Sequence, residues 1–259
     1  MGERTSYAPG TFCWQELSTT DSAGAKSFYG SLFGWEADDQ PLPGGGSYTM
    51  LRVGDQHVGA LYEQGPEQRA AEMPPHWASY VSVTDVDDAA RRAVELGAEL
   101  VAEPFDVMEA GRMAILRDPV GAMVSLWEPR RHIGAGLVNE PSTFCWNELG
   151  CADPERASEF YGQLLGWSFE TDSDTGYRTA SNADAVAAGI RALTEAEAGT
   201  PAAWMACVAV EGIDATMSAV EETGGRTLAP TQDIAIGRFG VLADPQGAVL
   251  AVFEGRTNP

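Results

Sequence analysis

Apolar and polar residues alternate in "FCWQEL", Phe12 to Leu17, with the two-residue period of a half-buried strand. The same pattern returns in "FCWNEL", Phe144 to Leu149. Behind the second copy the period changes, and Ala157, Phe160, Tyr161, Leu164 and Leu165 line one helical face. Asp153 stands where a helix is capped, Pro154 at its first position, and Gly166 at its end, as Gly34 ends the earlier twin. After the first helix, "SYTMLRV" and "HVGALYE" around "GDQ" predict a hairpin. "WASYVSV" then begins a second strand, "DVDDAARRAVELG" a helix closed by Gly97, and "RMAILRD" and "AMVSLWE" two strands joined through "DPVG".

The order is duplicated. Between Phe12 and Trp35, 13 of 24 positions match the residues 132 further on, with no insertion. Pro74 to Leu100 parallels Thr200 to Leu228, and Gly111 to Pro129 parallels Gly237 to Gly255. The chain therefore divides into a first domain (1–130), a linker (131–140) and a second domain (141–259). Each half holds strand, helix and further strands twice, so four βαβββ-like units are expected.

A length of 259 residues accommodates two domains with cores of their own, and 44% hydrophobic with 21% charged residues describes a soluble globular chain. No apolar run is long enough for a bilayer, and "MGERTSYAPG" lacks the core of a signal peptide, so a cytoplasmic protein without a membrane partner is expected. A net charge of −22 opposes binding to nucleic acid. Cys13, Cys145, Cys151 and Cys207 have no paired spacing and read as buried free thiols. His57, His76 and His132 stand in no catalytic motif, and the single glycine run lacks the setting of a phosphate loop.

The helices "SFYGSLFGW" (Ser27 to Trp35) and "EFYGQLLGW" (Glu159 to Trp167), with the turns "DPVGA" (Asp118 to Ala122) and "DPQGA" (Asp244 to Ala248), resemble the signatures of the vicinal oxygen chelate superfamily. That superfamily includes glyoxalase I, extradiol dioxygenases, fosfomycin-resistance proteins and bleomycin-binding proteins. The resemblance covers nearly the whole chain and implies an α+β fold. It consists of two tandem domains, each of two βαβββ units forming a cupped, open, barrel-like sheet. It extends to two-domain members associated with antibiotic pathways, some labelled hydroxylases.

The resemblance also implies metal positions, and this sequence departs from them. The ligand that opens the first strand falls on Trp14 and Trp146, that of the next unit on Ala78 and Met205, and the final Glu on Ser125 and Ala251. None of these suits a hard divalent ion, which takes imidazole or carboxylate, so no metal or cofactor is expected. Chemistry that relies on that cation as a Lewis acid loses its support.

Strand parity turns Trp14 and Glu16 into the cup and Cys13, Leu17 and Thr19 toward the helix, with Trp146 and Glu148 inward in the second half. Met123, Ser125 and Trp127 share the cup face, as do Val249, Ala251 and Phe253, while Tyr80 adds a further wall. The irregular stretches Phe105 to Met113 and Asp39 to Tyr48, the latter containing Gly44 to Gly46, are expected as rims. The candidate ligand-binding residues are therefore Trp14, Glu16, Tyr48, Tyr80, Phe105, Met123, Trp127, Trp146, Glu148 and Phe253, with Glu16 and Glu148 as candidate acid or base groups. Such a cup suits a hydrophobic aromatic small molecule held by a monomer or homodimer. Three functions remain open: a binding protein for an aromatic natural product, a metal-independent enzyme on a polyketide-like substrate, and an interaction protein whose tryptophans only fill the cups.

Overall fold

The computed structural model describes residues 2–42 and 45–257. The first domain runs β1 (Phe12–Thr19), α1 (Ser22–Phe33), β2 (Glu36–Pro41), β3 (Ser47–Val53), β4 (Gln56–Glu63) and the short α2 (Pro66–Ala70). It continues through β5 (His76–Ser82), α3 (Val86–Glu95), β6 (Glu99–Val107), β7 (Gly111–Arg117) and β8 (Met123–Pro129). The second repeats the order with β9 (Phe144–Cys151), α4 (Pro154–Leu165), β10 (Ser168–Thr171), β11 (Arg178–Asn182) and β12 (Ala185–Ala192). Then follow β13 (Ala203–Ala209), α5 (Ile213–Glu222), β14 (Arg226–Ile234), β15 (Gly237–Ala243) and β16 (Val249–Gly255).

Each domain is one open eight-stranded sheet, ordered β2-β3-β4-β1-β5-β8-β7-β6 and β10-β11-β12-β9-β13-β16-β15-β14. The two four-stranded units of a domain meet where β1 runs antiparallel to β5, and β9 to β13. The two edge strands of the first sheet, β2 and β6, carry no expected apolar signal. β2, "EADDQP", is an edge strand exposed along nearly its whole length, so burial imposes no alternation on it. The expected rim Phe105 to Met113 is the β6–β7 hairpin, and Asp39 to Tyr48 is largely the β2–β3 hairpin. Of that second stretch, Pro43 and Gly44 lie outside the described residues.

Helix ends follow the sequence. Asp21 accepts from the Gly24 amide and Asp153 from the Arg156 amide, while Gly34 and Gly166 close their helices at φ of 70° and 74°. Glu128 and Glu254, placed off the cup by parity, point to the helix layer and accept from the first amides of α3 and α5.

The helix layers belong to both domains. One core joins Val86, Ala90 and Leu116 of the first domain to Leu149, Phe160 and Trp167 of the second, and the other joins Leu17, Phe28 and Trp35 to Ile213, Val220 and Leu250. In one, Trp77 Nε1 donates to Tyr29 at 2.9 Å and Tyr29 donates to Asp244 of the opposite domain at 3.0 Å. In the other, Trp204 donates to Tyr161 at 2.8 Å and Tyr161 to Asp118 at 2.7 Å. The FYG and DPxG segments thus meet across the domain boundary. With the helix sides joined, each sheet keeps its opposite face for a cup.

The linker is part of the first cup. The Ala135 amide donates to the Cys13 carbonyl and that of Gly136 to the His57 carbonyl. Gly134 takes φ of +115°, and a Cβ there would collide with the Cys13 backbone. Residues 2–10 run beside this linker, with Tyr7 donating to the Ala135 carbonyl at 2.7 Å and Arg4 to the Gly136 carbonyl through its amide.

Candidate functional site

β1 holds the first cup's chemistry on two neighbouring rows. Trp14 lies opposite Tyr80, and Tyr80 opposite Ser125; Glu16 lies opposite Ala78 on one side and Ala60 on the other. The row expected as Trp14, Ala78 and Ser125 therefore contains Tyr80 in place of Ala78. A register shift between Phe12 and Trp14 also turns Cys13 to the cup, against the alternation that assigned it to the helix side. Leu17 keeps the helix side.

Glu16 is the one residue of β1 that is not buried. Its Oε2 accepts from Tyr48 at 2.6 Å and its Oε1 from Tyr80 at 3.0 Å, while Trp14 Nε1 donates to the Tyr48 hydroxyl at 3.2 Å. Among the described residues no Arg, Lys or His pairs with it. Desolvation raises the Glu16 carboxyl above the usual carboxylate range, and the two phenols pull it partly back. The phenols in turn are pushed well above their ordinary range by burial and by the Glu16 charge.

His132, from the linker, closes the wall. Its ring stands edge-on to Trp14 with centroids 4.5 Å apart and to Trp127 at 5.9 Å, and its carbonyl accepts from Trp127 Nε1 at 2.9 Å. The Gly134 amide donates to Nδ1, which leaves the proton on Nε2. Burial lowers this imidazole to about 4. Phe105 and Met123 share the cup face by register and parity but lie on its open half, 43% and 40% exposed. His76 sits opposite Ser18 with Nδ1 against the Pro74 carbonyl, away from the Glu16 row.

The second cup keeps the plan and changes the charges. Trp146 Nε1 donates to Tyr177 at 3.3 Å, and Tyr177 to Glu148 Oε2 at 3.0 Å. Where Tyr80 meets Glu16, the second domain has Cys207, and Arg191 takes the other oxygen of Glu148 at 2.8 Å. Arg191 also grips Glu197 through two bonds of 2.7 Å, holding that carboxyl down at about 2. Phe253 is buried beside Cys207, Cys145 and Trp146. Gly189 leaves room here for the Tyr177 hydroxyl, because a Cβ would strike that hydroxyl and approach Trp146 Nε1 and so force the tyrosine to shift.

Tyr177, Arg191 and His132 were not among the expected site residues. Tyr177 and Arg191 follow from an ungapped match of "YTMLRVGDQHVGALY" with "YRTASNADAVAAGIR", which places them on Tyr48 and Tyr62. No sequence signal marks His132, because the linker's path across the sheet brings it in.

A resident divalent metal, known from related folds, needs several imidazole or carboxylate donors on one spot. The rows Trp14–Tyr80–Ser125 and Trp146–Cys207–Ala251 offer none, and Glu16 and Glu148 each stand alone in the adjacent row. Among the described residues no three His, Cys, Asp or Glu side chains gather to hold an ion. The residues present do not fit such a metal.

Residues 12–126 match the model of the Glyoxalase/Bleomycin resistance protein/Dioxygenase superfamily, and residues 144–253 that of a Glyoxalase-like domain. The chain is 40% identical to the "Putative glyoxylase CFP32" of Mycobacterium tuberculosis over 98% of both chains. It is 32% identical to the anthracycline biosynthesis protein DnrV of Streptomyces peucetius, over 96% of this chain and 95% of that one. Among solved structures it is similar to the Mn(II)-bound glyoxalase of Novosphingobium aromaticivorans, with a TM-score of 0.67 and 12% identity over 99% of this chain and 84% of that one. The 2,3-dioxygenase LapB of a Pseudomonas species follows at 0.64 and 13%, over 96% and 93%. With both halves matched in tandem, and with two open cupped sheets built from paired units, the chain belongs to the glyoxalase/bleomycin resistance/dioxygenase superfamily and has the vicinal oxygen chelate fold.

Proposed function

We propose that this protein binds a flat, hydrophobic aromatic molecule of polyketide type in its first cup without a metal ion, for sequestration, resistance or support of an antibiotic pathway. The observation that carries the reading is Glu16, a carboxylate at the only unburied position of β1, held by two neutral phenols. Trp14, Tyr80 and Trp127 back it, while Phe105, opposite Met113, and Met123, opposite Arg117, stand exposed at separate places on the same face. Such a surface takes a planar ring by stacking and fixes its orientation through one hydroxyl donated to the carboxylate. The names of the Streptomyces relatives, which refer to anthracycline biosynthesis, support the ligand class. The acidic composition argues against a nucleic-acid partner, and we place the chain in the cytoplasm as a monomer or homodimer.

A second reading is an acid–base enzyme on the same class of molecule. Its support is the raised Glu16 carboxyl, which brings a proton acceptor closer to neutral pH. Tyr48 and Tyr80 hold both carboxylate oxygens in place. Glu148, tied to Arg191, is in this reading an anchor rather than a base.

Titration of the chelator-treated chain with 1,4-dihydroxyanthraquinone, followed by tryptophan quenching and mass spectrometry, separates these readings. Binding alone gives saturable quenching that Trp127→Ala weakens at least tenfold, with the compound recovered unchanged. Conversion that Glu16→Gln abolishes while quenching persists selects the enzyme. No quenching by this compound or by related planar phenols refutes both.

A further inference from the structure

β9 carries a bulge at its start. Trp146 lies opposite Cys207 and Phe144 opposite Val208, so Cys145 is the extra residue between them. Two residues of a bulged strand face one on the partner, and Cys145 and Trp146 therefore share Cys207. All three side chains lie in the apolar cluster of the second cup. Both cysteines are free thiols. The neighbouring Cys145 thiol, ahead of burial, pushes the Cys207 thiol well above its usual range. The first cup has the same bulge but a different partner, since Cys13 faces Tyr80 and donates to the Tyr80 carbonyl at 3.5 Å. The paired thiols belong to the second cup alone.

The two differ in access. Cys207 is buried, whereas Cys145 is half-exposed and lines a cleft of about 490 Å³ where the N-terminal segment and β1 meet the second domain, beside Tyr7, Phe144, Trp146, Asp184 and the buried Cys13. A small oxidant reaches Cys145 through that cleft and meets Cys207 only behind it.

We propose that Cys145 and Cys207 are a redox-sensitive dithiol that a hydroperoxide closes to a disulfide, with Cys145 reacting first and Cys207 resolving. In the first step the Cys145 sulfur bonds to one peroxide oxygen, the O–O bond breaks, and the thiol proton leaves with the other oxygen as water or alcohol. In the second the Cys207 sulfur attacks the Cys145 sulfur, the S–O bond breaks, and the departing hydroxide takes the Cys207 proton as water. Two thiols and one hydroperoxide become one disulfide, one water and one water or alcohol. The bond ties β9 to β13 beside Trp146 in the second cup. A dithiol reductant reverses it.

The test is a non-reducing peptide map of the full chain after hydrogen peroxide, with thiols counted in denaturant. The expected result is one cross-link joining the peptides of Cys145 and Cys207, two of the four thiols lost, a fall in tryptophan fluorescence, and recovery of both with dithiothreitol. Cys145→Ser and Cys207→Ser each remove the cross-link, whereas Cys13→Ser and Cys151→Ser retain it. The wild-type map decides the matter even if a variant folds poorly. Four thiols still titratable after a peroxide dose that oxidises exposed methionines overturns the proposal. So does sulfinic acid at Cys145 with Cys207 left free.

Discussion

Replacing Tyr29 with Phe removes one oxygen and tests whether the two domains stand or fall together. That hydroxyl accepts from Trp77 at 2.9 Å and donates to Asp244 of the other domain at 3.0 Å, with all three residues buried. Loss of a bond to a charged acceptor removes about 1.5–3 kcal/mol, and an indole N–H left buried without a partner costs about 1–3 kcal/mol more. Asp244 still accepts from the amides of Gln246 and Ala248, which keeps the total toward the lower half, about 3–4 kcal/mol. Tyr161→Phe removes the same pair of bonds to Trp204 and Asp118 and should cost a similar amount. Urea unfolding followed by tryptophan fluorescence measures both. Because each core contains residues of both domains, each variant should shift a single transition of unchanged slope. A loss below about 1 kcal/mol, or a variant in which one domain unfolds while the other keeps its original midpoint, would refute the shared-core account.

Other outcomes follow from the cups. Glu16 has a folded pKa raised above its unfolded value, so the stability it contributes is fully present below the unfolded value and is lost as pH rises through the folded one. Glu16→Gln should therefore flatten the pH dependence of the denaturation midpoint and make the variant the more stable protein near pH 7; an unchanged profile counts against a desolvated Glu16 carboxyl. His132 has its pKa lowered to about 4, so its contribution weakens as pH falls from about 6.5 toward 4. The fluorescence of Trp14 and Trp127 should accordingly titrate near 4 in the wild type and not in His132→Ala; a midpoint near 6.5 would place the ring in water. Gly189→Ala should displace Tyr177 and destabilise the chain by about 1–3 kcal/mol, measured in urea; an unchanged midpoint would contradict the close approach of Tyr177 to this backbone.

Much of this fold is legible in the sequence because burial imposes periodicity where it occurs. The helices bearing FYG, with Asp caps and glycine ends, match their expected limits, and the 132-residue repeat reproduces the division into two similar sheets. The edge strands β2 and β6 escape that logic, since exposed strands owe their place to backbone pairing with β3 and β7. The bulge at Cys13, like its copy at Cys145, reverses one side chain and shows the limit of counting parity from a fixed residue. Trp14, Glu16, Tyr48, Tyr80 and Trp127 come together as expected, whereas His132 arrives by a linker whose path no local pattern encodes. Arg191 makes the two cups electrostatically different, and the aligned hairpins show it only when Tyr62 and Arg191 are read as counterparts.

The central claim is that the first cup holds an aromatic ligand on Glu16 without a metal ion. A crystal structure of the chelator-treated chain soaked with 1,4-dihydroxyanthraquinone tests it most directly. The account predicts ring density beside Glu16 in the first cup with one phenol on its carboxylate, and no such density in the same soak of Glu16→Gln. Ligand bound only through a metal ion, or a first cup that stays empty at saturating compound, would contradict it.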